Sequence, residues 1–254
     1  MTQENKFAAG SLPLFFKQPH PLELARHKQA GLSQTADTAF ASDTNSVFIN
    51  AVEFVEVAKH YPIVFTQTES PLPTAVLGLE QKNYFVDARN KWKEGAYIPA
   101  YVRKYPFVFM NVAEQDKFLL CIDEASPQYK PQGGKDSFPF YEGDKPSQLS
   151  QSALEFCTAF HNQYQFTEQF SKALKELDVL VPMRSDAKLD NGREIQLAGF
   201  LSIDEQKVNA LPDAKLLELQ KKGWLALIYF VLQSTSNWKR LVDMAGALEK
   251  PKAA

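Results

Sequence analysis

Apolar residues recur every three or four positions in some stretches of this chain and every second position in others, and the two rhythms mark helices and strands. Val52, Val55 and Ala58 predict a helix over 51–60. Pro62 should stop it, because the residue before a proline is driven out of the α region. A strand then starts over 63–65. The same grammar returns further on, with a short helix over 99–104 closed by Pro106, and a β-branched and aromatic strand over 107–112. A polar turn at 113–116 leads into a returning strand over 118–122.

The return is a match of residues as well as of pattern. Residues 58–65 recur as 102–109, so Tyr61-Pro62 corresponds to Tyr105-Pro106, and 80–88 matches 114–125 across a shorter loop. This predicts an α+β fold in which a helix-plus-β-hairpin unit is duplicated, at about 51–88 and 97–125, and the hairpins form a mixed or antiparallel sheet. Pro13, Pro19 and Pro21 favour an extended lead-in to this N-terminal part, taken as 1–125. Residues 126–148 hold Pro127, Pro131, Gly133, Gly134, Pro139, Gly143 and Pro146, a composition that predicts a linker.

Beyond the linker, 149–254 reads as mostly helical. Ala153, Phe156, Cys157, Phe160 and Tyr164 step by three and four, and Phe170, Ala173, Leu174 and Leu177 continue the face of a long helix. Asn191-Gly192 predicts a hairpin over about 187–203. Asp204 is placed to cap the next helix, and Gly223 to end another in the left-handed conformation. Residues 224–232 are apolar all round, which predicts a buried helix, and a final helix over 236–247 turns Trp238, Leu241, Val242 and Met244 inward.

At 254 residues and 44% hydrophobic the chain can bury an ordinary core. Its formal net charge is only -2, with Lys and Arg dispersed, so no nucleic-acid partner is expected. The longest apolar run is far short of the roughly 20 residues a membrane-spanning helix needs. Cys121 and Cys157 lie in apolar surroundings without paired spacing and read as buried free thiols, which suits a reducing compartment. Without an apolar signal region near the start, a cytoplasmic location is expected, with signal-independent export to the cell surface as the alternative.

Chemistry is sparse. His20, His27, His60 and His161 fall in no metal-binding spacing, so no metal is expected. Glycine-rich phosphate loops and nucleophile elbows are absent, and no cofactor is expected. Asp123 and Glu124, directly after an apolar strand, are the sharpest candidates, and Tyr97, Tyr101, Arg103 and Tyr105 lie close to them in the repeat. An arginine among carboxylates and phenols suits a peptide or amino-acid-derived ligand. The competing reading is structural, with Asp123 capping a turn and Arg103 paired to it.

The run Ile98-Pro99-Ala100-Tyr101-Val102-Arg103-Lys104-Tyr105-Pro106-Phe107, with Leu120-Cys121-Ile122-Asp123-Glu124-Ala125-Ser126 and Leu77-Gly78-Leu79, resembles the SapC family of bacterial proteins. The resemblance runs from about His20 to Leu241. It implies an association with a bacterial surface layer, and it carries no established catalytic residues onto this sequence.

Three function classes follow. The first is a non-enzymatic accessory or binding protein that recognises a peptide or small-molecule ligand through Tyr97, Tyr101, Arg103, Tyr105, Asp123 and Glu124. The second is an enzyme on a peptide or amino-acid-derived substrate with Asp123 or Glu124 as general base. The third is a structural subunit that self-associates as a homo-oligomer.

Overall fold

The computed structural model describes residues 12–35, 37–112, 117–189 and 192–249. The fold is α+β with antiparallel sheets and a helical C-terminal part. Two compact units divide the chain, each built from two separated stretches: residues up to Phe40 with Arg103–His161 in the first, and Ala41–Val102 with everything from Asn162 on in the second.

In the first unit the strands Pro19–Pro21, Lys117–Asp123 and Phe107–Val112 form an antiparallel sheet in that order. Strand side chains alternate between faces, so the hairpin buries two separate sets. Phe107 and Ile122 pack with Phe140, Ala153 and Cys157, while Val108, Met110 and Cys121 pack with Phe16 and Tyr105. Both faces are covered at Cys121 and Ile122, whereas Phe118 and Leu119 at the start of the same apolar run remain exposed. The Pro- and Gly-rich stretch 126–148 carries the short strands Tyr129–Lys130, Ser137–Pro139, Tyr141–Glu142 and Lys145–Pro146, two of which flank Gly31–Ser33.

The second unit is organised on a five-stranded antiparallel sheet ordered Leu180–Lys188, Glu194–Ile203, Ile63–Thr66, Pro73–Val76, Ser46–Phe48. Its core includes Phe54, Tyr61, Phe65, Phe85, Phe170, Leu174, Ile228 and Leu241. The expected hairpin over 187–203 is present and longer, reaching back to Leu180. Its central residues Asp190 and Asn191 lie outside the described ones. Asp204 caps the helix Glu205–Asn209, accepting from the backbone N–H of Gln206 and Lys207. Gly223, at a φ of 70°, separates the helices Asp213–Lys221 and Trp224–Ser234.

Two expectations are modified. The helix Trp224–Ser234 buries only Trp224, Ile228, Val231 and Ser234, and Tyr229 is 48% exposed. An all-apolar helix presents one stripe to a single packing layer, and its remaining surface stays outside. The two helix-hairpin segments share their order, Phe54–Val57 before Ile63–Thr66 and Pro73–Val76, and Ala100–Arg103 before Phe107–Val112 and Lys117–Asp123. They belong to different sheets, however. The first returning strand is Pro73–Val76, whereas the matching stretch 80–88 is a loop held by bonds such as Asn83 Nδ2 to the Ala41 carbonyl. Sequence match and structural correspondence coincide over the helix and outgoing strand alone, because strand pairing is decided by distant partners. The turn expected at 113–116 lies outside the described residues.

Gly78 gives a test of this loop. A Cβ there would sit 1.9 Å from the Lys82 carbonyl oxygen, which belongs to the backbone. Gly78→Ala should therefore cost more than about 2 kcal/mol. Urea denaturation reads it, and an unchanged midpoint would show that the 78–82 loop yields freely.

Candidate functional site

Asp123 and Glu124 are neighbours in sequence, and they serve different surroundings. Asp123 is fully buried. Its Oδ1 accepts from the backbone N–H of Gln18 at 2.7 Å and Ala125 at 3.2 Å, and its Oδ2 from the Lys17 N–H and the Tyr105 hydroxyl, both at 3.1 Å. With both oxygens doubly engaged, this carboxylate ties the lead-in segment to the sheet and leaves no lone pair for a substrate. None of its bonds comes from Arg103.

Glu124 instead meets the short helix Leu24–His27. Arg26 grips it bidentately through Nε and through Nη2 at 2.7 Å, and His27 Nε2 lies 3.1 Å from Oε1. His20 approaches the second oxygen at 4.0 Å. His27 Nδ1 lies 3.1 Å from the Glu23 backbone nitrogen and 3.2 Å from the Glu23 carbonyl oxygen, while Nε2 faces Glu124. The hydrogen bond from Arg26 is the main cause holding the Glu124 carboxyl below its ordinary pKa, and burial pushes His27 down. A neutral, enclosed histidine and an ionised, arginine-paired glutamate result.

The repeat-derived aromatics are also engaged. Tyr105 stacks on Phe40 with centroids 4.1 Å apart and meets Phe16 edge-on, and burial pushes its hydroxyl up to about 12. Arg103 lies over Phe156 at 5.4 Å, and the next residue, Lys104, lies between Phe160 at 5.2 Å and Phe16 at 5.1 Å. Phe156 and Phe160 are one turn apart on the helix Gln148–Glu176, so consecutive cations occupy consecutive rings. The Arg-Lys-Tyr-Pro part of the distinctive Tyr-Val-Arg-Lys-Tyr-Pro run is thus a packing element of the first unit.

Tyr97 and Tyr101 belong to the second unit. The Tyr97 hydroxyl donates to Glu53 at 2.9 Å, and Glu53 also accepts from the N–H of Ala100 at 2.6 Å and Asn50 at 2.9 Å. The Tyr97 carbonyl accepts from the buried Tyr61 hydroxyl, which in turn takes the indole N–H of Trp92 at 3.0 Å. Tyr101 rests edge-on to Phe48 at 6.3 Å. Of the six candidates, the structure places Tyr105 with Asp123 and gives the others separate partners.

A concave feature that the motifs did not indicate lies in the second unit. The loop 69–72 and the later half of the long helix enclose about 450 Å³. Gln165, Glu168, Gln169 and Lys172 line one wall at helical spacing, with Pro71 and Leu72 opposite. Lys175 ties the loop in place through the Glu69 carboxylate at 3.2 Å. The signal available beforehand was this polar face on an otherwise amphipathic helix.

Cys121 and Cys157 are buried free thiols whose pKa burial raises to about 12 and about 11. Among the described residues, no three His, Cys, Asp or Glu are grouped to hold a metal, and no helix is long and apolar enough to cross a membrane.

The sequence model of the SapC family matches residues 22–241. No curated protein and no solved structure matches the chain.

Proposed function

We propose, from the premise that this chain belongs to the SapC family, that it is a non-catalytic binding protein for a peptide or amino-acid-derived ligand. The groove beside the loop 69–72 is the observation that carries this reading. Its volume, about 450 Å³, lies within the range of small-ligand sites. Carboxylate, ammonium and carboxamide groups line the same wall, a set that complements the termini and amide units of a short peptide.

The state of the two strand-end acids argues against the enzymatic alternative. A general base works best with a pKa near the working pH, whereas Arg26 holds Glu124 ionised and paired. Asp123 is spent on backbone amides and a phenol.

Thermal-shift titration with trialanine tests the proposal. Melting temperature should rise saturably with the tripeptide, since a ligand that binds only the folded state stabilises it. Lys172→Glu, which reverses one charge on the groove wall, should abolish the rise. A response that is absent, or equal in this variant, would contradict the reading.

A further inference from the structure

About half of the lysines and arginines among the described residues have a carboxylate within ion-pair distance. A group in the second unit does not. Arg240, on the helix Asn237–Glu249, lays its guanidinium over the fully buried Phe85 at 5.4 Å and turns Nη1 toward His60 Nδ1 at 3.5 Å. Lys93 stands on the loop that closes over the same ring, its backbone N–H bonded to the Phe85 carbonyl at 2.7 Å. Among the described residues neither Arg240 nor Lys93 has an acidic partner. Glu56, the acid that acts on His60, is paired with Lys59 at 2.6 Å.

We propose that Arg240, His60 and Lys93 form a receptor for an oxyanion, the carboxylate or phosphate group of a small ligand. Arg240 and Lys93 are like charges without a carboxylate partner, and their repulsion is relieved when an anion enters, with the His60 ring beside Arg240 as a further hydrogen-bonding group. Consistent with that repulsion, the Arg240 charge, after burial, helps to lower the pKa of both His60 and Lys93.

The platform is rigid enough to hold these groups in place. Phe85 is flanked by Trp92, stacked at 6.4 Å, and by Tyr61, edge-on at 4.5 Å, and Trp92 and Tyr61 share a hydrogen bond. The Asp87 carboxylate fixes the intervening loop by accepting from the N–H of Arg89 at 2.8 Å and Lys91 at 2.9 Å. A guanidinium is a planar fork of donors, the geometry that carboxylate and phosphate accept in two parallel hydrogen bonds.

The test is a melting-temperature titration of the full chain with inorganic phosphate and, separately, with acetate, at ionic strength held constant with sodium chloride. A saturable rise in either arm is expected, and the stronger arm identifies the headgroup. Arg240→Gln and Lys93→Gln should each raise the apparent dissociation constant about tenfold or more. Lys188→Gln, a charge neutralisation elsewhere, should leave it unchanged. If Arg240→Gln fails to fold by circular dichroism, the exposed Lys93→Gln decides. No response to either anion, or equal responses in wild type and the site variants, would overturn the proposal. Trialanine binding at the groove is read separately through Lys172→Glu, so either site can fail alone.

Discussion

Asp123→Ala is expected to destabilise the protein by about 3–5 kcal/mol, the largest effect among single substitutions at the candidate residues. The carboxylate is fully buried, and its loss strands three backbone N–H groups, of Lys17, Gln18 and Ala125, together with the Tyr105 hydroxyl. An unsatisfied buried donor costs roughly 1–3 kcal/mol, so several together exceed the value of any one bond. Asp123→Asn keeps the shape and one carbonyl oxygen, and should cost about half as much. Urea denaturation at neutral pH measures both, and a midpoint for the alanine variant equal to wild type would mean that the lead-in segment is held by other contacts.

The second large effect has the opposite sign. Lys104→Met should stabilise the protein by up to about 3 kcal/mol at pH 7. Lys104 is 7% exposed, and burial lowers its pKa from 10.5 to about 8. The unfolded chain therefore binds the Lys104 proton more readily than the folded one between those two values. Stability contributed by this residue rises with pH across that window, and the full penalty is present below pH 8. Cys121 and Cys157 act the other way, since folding raises their pKa and their contribution falls once the unfolded thiols ionise. The difference between variant and wild type isolates the lysine. It should be largest at pH 7 and shrink toward zero by pH 10.5. A variant less stable than wild type at pH 7 would show that the contacts with Phe16 and Phe160 outweigh desolvation of the ammonium.

Local features were legible in sequence wherever neighbours decide them. Asp204 caps its helix and Gly223 separates two others, because capping and left-handed geometry depend on a few adjacent residues. The long helix, Gln148–Glu176, was legible from its apolar spacing. Pairing across the chain was not. The matched stretches around Tyr61 and Tyr105 gave the same local order, yet one hairpin joins Glu194–Ile203 and the other joins Pro19–Pro21, partners that no local pattern names.

The candidate site divides along the same line. That Asp123 and Glu124 meet different surroundings follows from strand alternation and could be read in advance. The engagement of Glu124 by Arg26 and His27, nearly a hundred residues earlier, could not. Arg103 looked like a recognition group beside tyrosines, whereas the helix that places Phe156 beneath it, and Phe160 beneath Lys104, comes from a later stretch of chain. Arg240 meets Phe85 and His60, the latter 180 residues earlier in the chain, a proximity that no local pattern announces.

The central claim is that the acids at the end of the Lys117–Asp123 strand hold the fold together while recognition takes place on the wall of the long helix. Calorimetric titration of trialanine into wild type, Asp123→Asn and Lys172→Glu, each confirmed as folded, tests it most directly. Equal affinity in wild type and Asp123→Asn, with binding lost in Lys172→Glu, is the predicted result. Binding lost in folded Asp123→Asn and retained in Lys172→Glu would contradict the account.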